Sequence, residues 1–350
     1  MCDKMTLFAP FLSAVFAILV APAAVAQENA VPGEPGAPYA NMNHIAPIGV
    51  RTGKYLPVPE TAKGPPIDPA KGYRIEELGP GLYMITDNAN SSMFMVYETG
   101  VVVIDAPQSY ANHIRAGIRE VTNKPITHII YSHSHADHIG GTRELGGQPV
   151  IIAHEETKNL LIEANDPNRP LPTVTFKDKY ALHVGSQVLE LSYHGVGHEP
   201  GNIFIYAPHQ KVLMVVVTVF PGWMPWRRLA LAQNIRGLFR QVEEIKAIDF
   251  DKFVGGHVER WGTKADVQLQ LDFMNDLRSA SAAALKSTRI GEELNPADAD
   301  NPWAVFDNFI DRNVVQCMNT LEPKWRDRLA GYDAFIWDQC YAMEQSLRID

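Results

Sequence analysis

Three cysteines in 350 residues are too few for a disulfide framework, so the fold must rest on a hydrophobic core. Basic residues are in deficit, 31 Lys and Arg against 40 Asp and Glu, for a formal charge of −9. That balance argues against a nucleic acid held on a cationic surface. No G-x-S-x-G elbow is present, which removes the serine-hydrolase arrangement built on that turn. Internal repeats are absent, and biased composition is confined to a Pro-rich arm near the N-terminus.

The first residues read as an export signal. Lys4 precedes an apolar stretch from Leu7 to Val20, and Ala24-Val25-Ala26 offers a small-x-small cleavage site before Gln27. The stretch is short for a membrane span. Residues 1–26 are therefore expected to be removed, leaving a periplasmic or secreted protein without a stable membrane anchor. Cleavage would take Cys2 away and leave Cys317 and Cys340, either paired or as buried free thiols. Residues 27–72, interrupted by nine prolines from Pro32 to Pro69, form an arm that is either disordered or wrapped on another subunit.

Strand-like and helix-like stretches alternate from Tyr73 onward, which suits a layered α/β architecture. The most informative stretch is Tyr131-Ser132-His133-Ser134-His135-Ala136-Asp137-His138-Ile139-Gly140-Gly141. An apolar run leads into it and paired glycines follow, giving a strand, a ligand-bearing loop and a helix start. Alternate side chains of extended backbone share a face, so His133 and His135 can converge on one metal ion. Asp137 and His138 are adjacent and diverge from that pair toward a second position.

This H-x-H-x-D-H pattern resembles the signature of the metallo-β-lactamase fold superfamily. The resemblance covers residues 73–263 and implies a four-layer αββα sandwich, with a helical extension over residues 264–350. It also supplies later ligands. His198, within His194-Gly195-Val196-Gly197-His198-Glu199-Pro200-Gly201-Asn202, would complete a zinc site with His133 and His135. His257, in a glycine loop after a strand, would join Asp137 and His138. Asp105, ending a strand, would support the metal site from behind or serve as a turn cap. Asn202 would hold its loop by side-chain hydrogen bonds. His154 falls outside the ligand pattern and reads as structural, while His194 reads as lining the entrance or as a solvated loop residue.

One position departs from the family pattern. Aligning Thr218 and Phe220 with the family's G-D-T-x-F puts Val217 where a metal-bridging aspartate is expected. Two close divalent ions need anionic compensation, so the resemblance implies one firm Zn²⁺ site and a second that is conditional. Phe220, Trp223, Met224 and Trp226 read as a pocket wall for an apolar substrate, with core packing or subunit contact as the alternative.

The expected activity is zinc-dependent hydrolysis by a metal-activated water, with Asp137 as the catalytic acceptor. The favoured substrate is a small apolar ester, lactone or related molecule. β-Lactam or organophosphate hydrolysis and hydrolytic dehalogenation remain open on the same site. A mononuclear iron oxygenase and a non-catalytic binding protein are the readings that Val217 leaves open. Self-association would run through the arm or the C-terminal helices.

Overall fold

The computed structural model describes residues 55–350. Residues 1–26, read as an export signal, and residues 27–54 of the arm lie outside the described residues. Twelve strands form two sheets among these residues. The first sheet runs in sequence order: β1 (Arg74–Gly79), β2 (Leu82–Thr86), β3 (Ser91–Val96), β4 (Val101–Ile104), β5 (Ile126–Ile130), β6 (Val150–His154) and β7 (Val174–Phe176). Its β1–β4 half is antiparallel and its β4–β7 half parallel. The second sheet has the order β12 (Lys252–Val254), β11 (Val212–Met214), β10 (Ile203–Ala207), β9 (Gln187–Tyr193) and β8 (Lys179–Val184).

Side-chain alternation explains the layering. Met93, Met95, Val102, Ile104, Ile130 and Ile152 of the first sheet pack against Leu189, Leu191, Ile203, Ile205 and Met214 of the second. The intervening Phe94, Val101, Val103, Ile129 and Ile151 face outward. They meet Ile114 and Ile118 of α1 (Ala111–Val121) and Leu161 of α3 (Glu155–Ala164). The outer face of the second sheet, through Phe204, Leu213 and Phe253, shares a core with four further helices. These are α5 (Ile235–Ala247), α6 (Lys264–Ser287), α7 (Pro302–Trp325) and α8 (Tyr332–Ile349). The result is the expected αββα sandwich with C-terminal helices.

A disulfide joins Cys317 to Cys340 and pins α7 to α8. None of the described helices is long and apolar enough to cross a membrane. Residues 55–72 of the arm lie on their own domain. Leu56 N–H donates to Asp333, Gly64 N–H to Glu259, and the Trp223 indole to the Ala62 carbonyl.

Three sequence expectations are corrected. Residues 211–217 read as one strand, yet β11 spans only Val212–Met214, because Val217 takes φ +58° and leaves extended geometry. The Pro-rich stretch 165–178 reads as loop, yet Val174–Phe176 pairs with β6. Residues 301–319 and 322–347 read as two helices, but α7 continues through Pro323 to Trp325 and α8 starts only at Tyr332. A proline in the last turn forfeits one hydrogen bond, which the burial of Leu321 and Trp325 offsets.

Candidate metal centre

The site lies at one end of the sandwich, where several strands stop together. Asp105 follows β4, His133 and His135 follow β5, and His257 follows β12. Asp137 and His138 stand in α2 (Ala136–Ile139), the short helix that the motif opens. His198 comes from the loop between β9 and β10. Gly256 turns the chain into His257 at φ +81°, and a Cβ there would sit 2.5 Å from Val216 and 3.1 Å from His138. Glycine therefore serves both conformation and space.

Two clusters result: His133, His135 and His198, and Asp137, His138 and His257, with each cluster's potential ligand atoms within 4.8 Å of one another. The outward hydrogen bonds fix which ring nitrogen faces inward. His198 Nδ1–H donates to the Ala230 carbonyl (2.7 Å), which leaves the Nε2 lone pair free. His135 Nε2–H faces Glu199 at 3.0 Å, so Nδ1 points inward. His257 Nδ1–H donates to the Ala89 carbonyl (3.3 Å). His133 Nδ1 lies 2.8 Å from Ser132 Oγ, and its buried Nε2 has no hydrogen-bonding partner.

The inward ring nitrogens lie close together. His198 Nε2 is 3.0 Å from His135 Nδ1, and His138 Nε2 is 2.9 Å from His257 Nε2. Burial, with neighbouring histidines, holds His133 and His138 well below the ordinary histidine pKa. Burial also pushes His198 down to about 4 and lowers His257. Ring nitrogens this close are held together by a shared proton or by a cation, and burial disfavours an added proton on His133, His138 and His198. A cation is what such a donor set accommodates, and imidazole suits zinc, copper, iron and nickel.

His135 differs. Burial pushes it down, but the hydrogen bond and negative charge of Glu199 outweigh that and raise it. Glu199 is itself buried, and its carboxylate accepts from Ser134 N–H (2.7 Å) and Ser134 Oγ–H (3.2 Å). Sequence reasoning quoted Glu199 only as part of a motif. Its contact with His135 joins two loops remote in sequence, and a glutamate beside a ligand histidine was the one available signal.

Asp105 adopts φ +61° at the end of β4, and its Oδ1 accepts from Ser132 N–H at 2.8 Å. Burial raises its pKa to about 7 despite that bond. Asn202 Nδ2 donates to the Val216 carbonyl, tying its loop to the turn that follows β11. Asp137 is more than half exposed, with Oδ2 3.7 Å from both His138 Nε2 and His257 Nε2. His154 caps α3 and donates to the Lys177 carbonyl, a structural role. His194 neither lines the cavity nor sits free in solvent. It stacks on Phe204, and its ring nitrogens contact Glu244 and Ser192.

Val217, a β-branched residue at positive φ, is a backbone outlier. Its side chain lines the cavity without offering a ligand atom. That cavity measures about 760 Å³ and opens beside both clusters. Phe220, Trp223, Met224 and Trp226 all line it, with Leu231 and Phe335. Among the described residues, Arg169 is the one Lys or Arg that lines it, and it already bonds Asp166 and the Ser134 carbonyl.

Residues 85–257 match the family model described as "Metallo-beta-lactamase superfamily". The 2,4-dinitroanisole O-demethylase subunit alpha of Nocardioides sp. (strain JS1661) is 28% identical over 266 residues, covering 68% of this chain and 76% of that protein. A type 2 metallo-beta-lactamase of Elizabethkingia meningoseptica is 29% identical over 226 residues, 60% of this chain and 88% of that protein. Among solved structures, a metallo-beta-lactamase from Pontibacter korlensis superposes with a TM-score of 0.51 at 20% identity, over 58% of this chain and 99% of that one.

Proposed function

We propose that this chain, a member of the metallo-beta-lactamase superfamily, is a zinc-dependent hydrolase acting on small, largely apolar substrates with an ester, lactone or related bond. The observation that carries the reading is the convergence of inward-facing imidazole nitrogens beside an aromatic cavity. His133, His135 and His198 would hold the first ion, and Asp137, His138 and His257 a second, weaker one. Bound zinc supplies Lewis acidity and lowers the pKa of water toward about 7.

The protein's own groups do the rest. Glu199 fixes the His135 ring and adds a negative charge behind the first centre. Asp137, more than half exposed beside His138 and His257, either accepts a hydrogen bond from the attacking water or helps hold the second ion. Phe220, Trp223, Met224 and Trp226 hold the apolar part of the substrate and exclude water from it.

A second reading concerns the scissile bond. The demethylase relative is named for an aryl methyl ether, and aromatic walls suit a flat aryl group. An electron-poor aryl ether is therefore the leading alternative substrate. Among the described residues, a β-lactam, which carries a carboxylate, finds only Arg169 as a lining Lys or Arg. The export signal supports work in the periplasm or outside the cell.

The test is turnover of a panel of aryl esters, lactones, 2,4-dinitroanisole and a chromogenic cephalosporin by zinc-loaded protein. Turnover of an aryl ester, lactone or aryl ether that His133→Ala abolishes, together with loss of zinc, is expected. Unchanged zinc content and unchanged turnover in His133→Ala would sink the reading.

A further inference from the structure

Between Trp226 and Ala232 the backbone does something that side chains normally forbid. Arg228, Leu229, Ala230 and Leu231 take φ of 52°, 53°, 59° and 56° in succession, a left-handed turn without a glycine. This segment, α4 (Arg227–Leu231), is closed by Ala230 N–H donating to the Trp226 carbonyl at 2.8 Å. In this conformation each Cβ crowds the following carbonyl oxygen. Such a run persists only where its surroundings over-determine it.

The over-determining group is Gln339 of α8, which is fully buried. Its Oε1 accepts from Leu229 N–H at 2.7 Å. Its Nε2 donates to the carbonyls of Pro225 (2.6 Å) and Trp226 (3.0 Å). One amide thus grips the turn from both sides. The neighbouring Asp338 adds an ion pair to Arg227 at 2.7 Å. The turn in its own right holds the metal centre, because the Ala230 carbonyl accepts from His198 Nδ1–H at 2.7 Å.

We propose that Gln339 is a positioning residue for the metal centre. By clamping the left-handed turn it places the Ala230 carbonyl, and that carbonyl fixes the tautomer and rotation of His198. The inference rests on the reading of His198 as a metal-holding residue. If the turn relaxes, the 230 carbonyl swings away, Nδ1 loses its acceptor, and Nε2 is no longer aimed at the centre. Only an amide fits the role. A carboxylate accepts from Leu229 N–H but repels two carbonyl oxygens, and an aliphatic side chain bonds nothing.

The experiment uses the full chain, stripped of metal and titrated with zinc against a competing chelator. Hydrogen exchange at residues 229–232 is read in parallel. Gln339→Leu is expected to weaken zinc binding at the tighter site 10- to 100-fold and to speed exchange in the turn. Ala230→Gly, added to Gln339→Leu, is expected to recover much of the affinity, because glycine enters positive φ without penalty. Gln339→Glu decides the matter if Gln339→Leu does not fold, and the same loss and the same glycine rescue are expected of it. A folded variant with native zinc affinity overturns the proposal, and so does a loss that Ala230→Gly leaves unrepaired with exchange in the turn unchanged. His198→Ala separates the two claims. If it keeps zinc, the metal reading fails; if it loses zinc while the Gln339 variants do not, only the clamp fails.

Discussion

Asp105 Oδ2 and His138 Nδ1 lie 3.9 Å apart, both fully buried, and neither atom has a hydrogen-bonding partner. A carboxylate and an imidazole left facing each other in this way are one small movement from a charge-assisted bond. That bond would orient His138 Nε2 toward the second cluster. Asp105→Asn keeps an oxygen for Ser132 N–H but removes the charge. We expect it to weaken the second zinc 10- to 100-fold and the first far less, in a two-site zinc titration. Equal losses at both sites would contradict this assignment.

Glu199 makes a graded prediction. Glu199→Gln retains an acceptor for His135 Nε2–H but loses the charge, whereas Glu199→Leu loses both. Affinity at the first site is expected to fall in the order wild type, Gln, Leu, with the final step worth about 1–3 kcal/mol. Indistinguishable Gln and Leu variants would show that charge alone matters.

Val217 combines strain with a missing ligand. Aspartate tolerates positive φ better than a β-branched residue does, so Val217→Asp is expected to raise zinc content and thermal midpoint together. Val217→Gly relieves the strain, of order 1–3 kcal/mol, without adding a ligand, and should raise only the midpoint of the metal-free protein. Two full zinc ions per wild-type chain, counted by metal analysis, would overturn the charge argument against the second site.

Much of the centre was legible because ligand chemistry restricts residue type and spacing. His133, His135, Asp137 and His138 lie within one loop and helix start, so local geometry alone brings them together. Helix α1 was equally readable, since Ile114 and Ile118 repeat at helical spacing between polar residues. What stayed hidden depends on distance along the chain. No glycine announces the left-handed turn at 228–231, and nothing near Gln339 in sequence hints at Pro225 or Trp226. Strand β8 pairs only with β9 and mixes buried and exposed residues, which blurs its pattern.

Asp311 on α7 offers a test away from the metal. Burial, reinforced by Asp307, raises its pKa to about 6. A carboxyl that holds its proton more tightly when folded costs stability once ionised. That cost is absent below the unfolded value of about 4 and grows as pH rises through 6. Asp311→Asn should therefore stabilise the metal-free protein at pH 8 by no more than about 1 kcal/mol after solvent screening, and not at all at pH 3.5. Denaturant unfolding at the two pH values measures it, and an equal gain at both would refute the assignment.

The disulfide spans a sequence separation of 23. Replacing Cys317 and Cys340 together by serine is expected to cost about 3 kcal/mol in the same unfolding experiment. A change below about 1 kcal/mol would show that packing of α6, α7 and α8 already fixes their ends.

The position of Gln339 has a consequence for how the protein is made. A ribosome releases His133, His135 and His198 long before it releases α8. A chain that has not yet delivered α8 lacks the clamp behind His198. On the proposed coupling, a chain whose last helix has docked holds zinc more tightly than one whose last helix has not, so docking and metal retention favour each other.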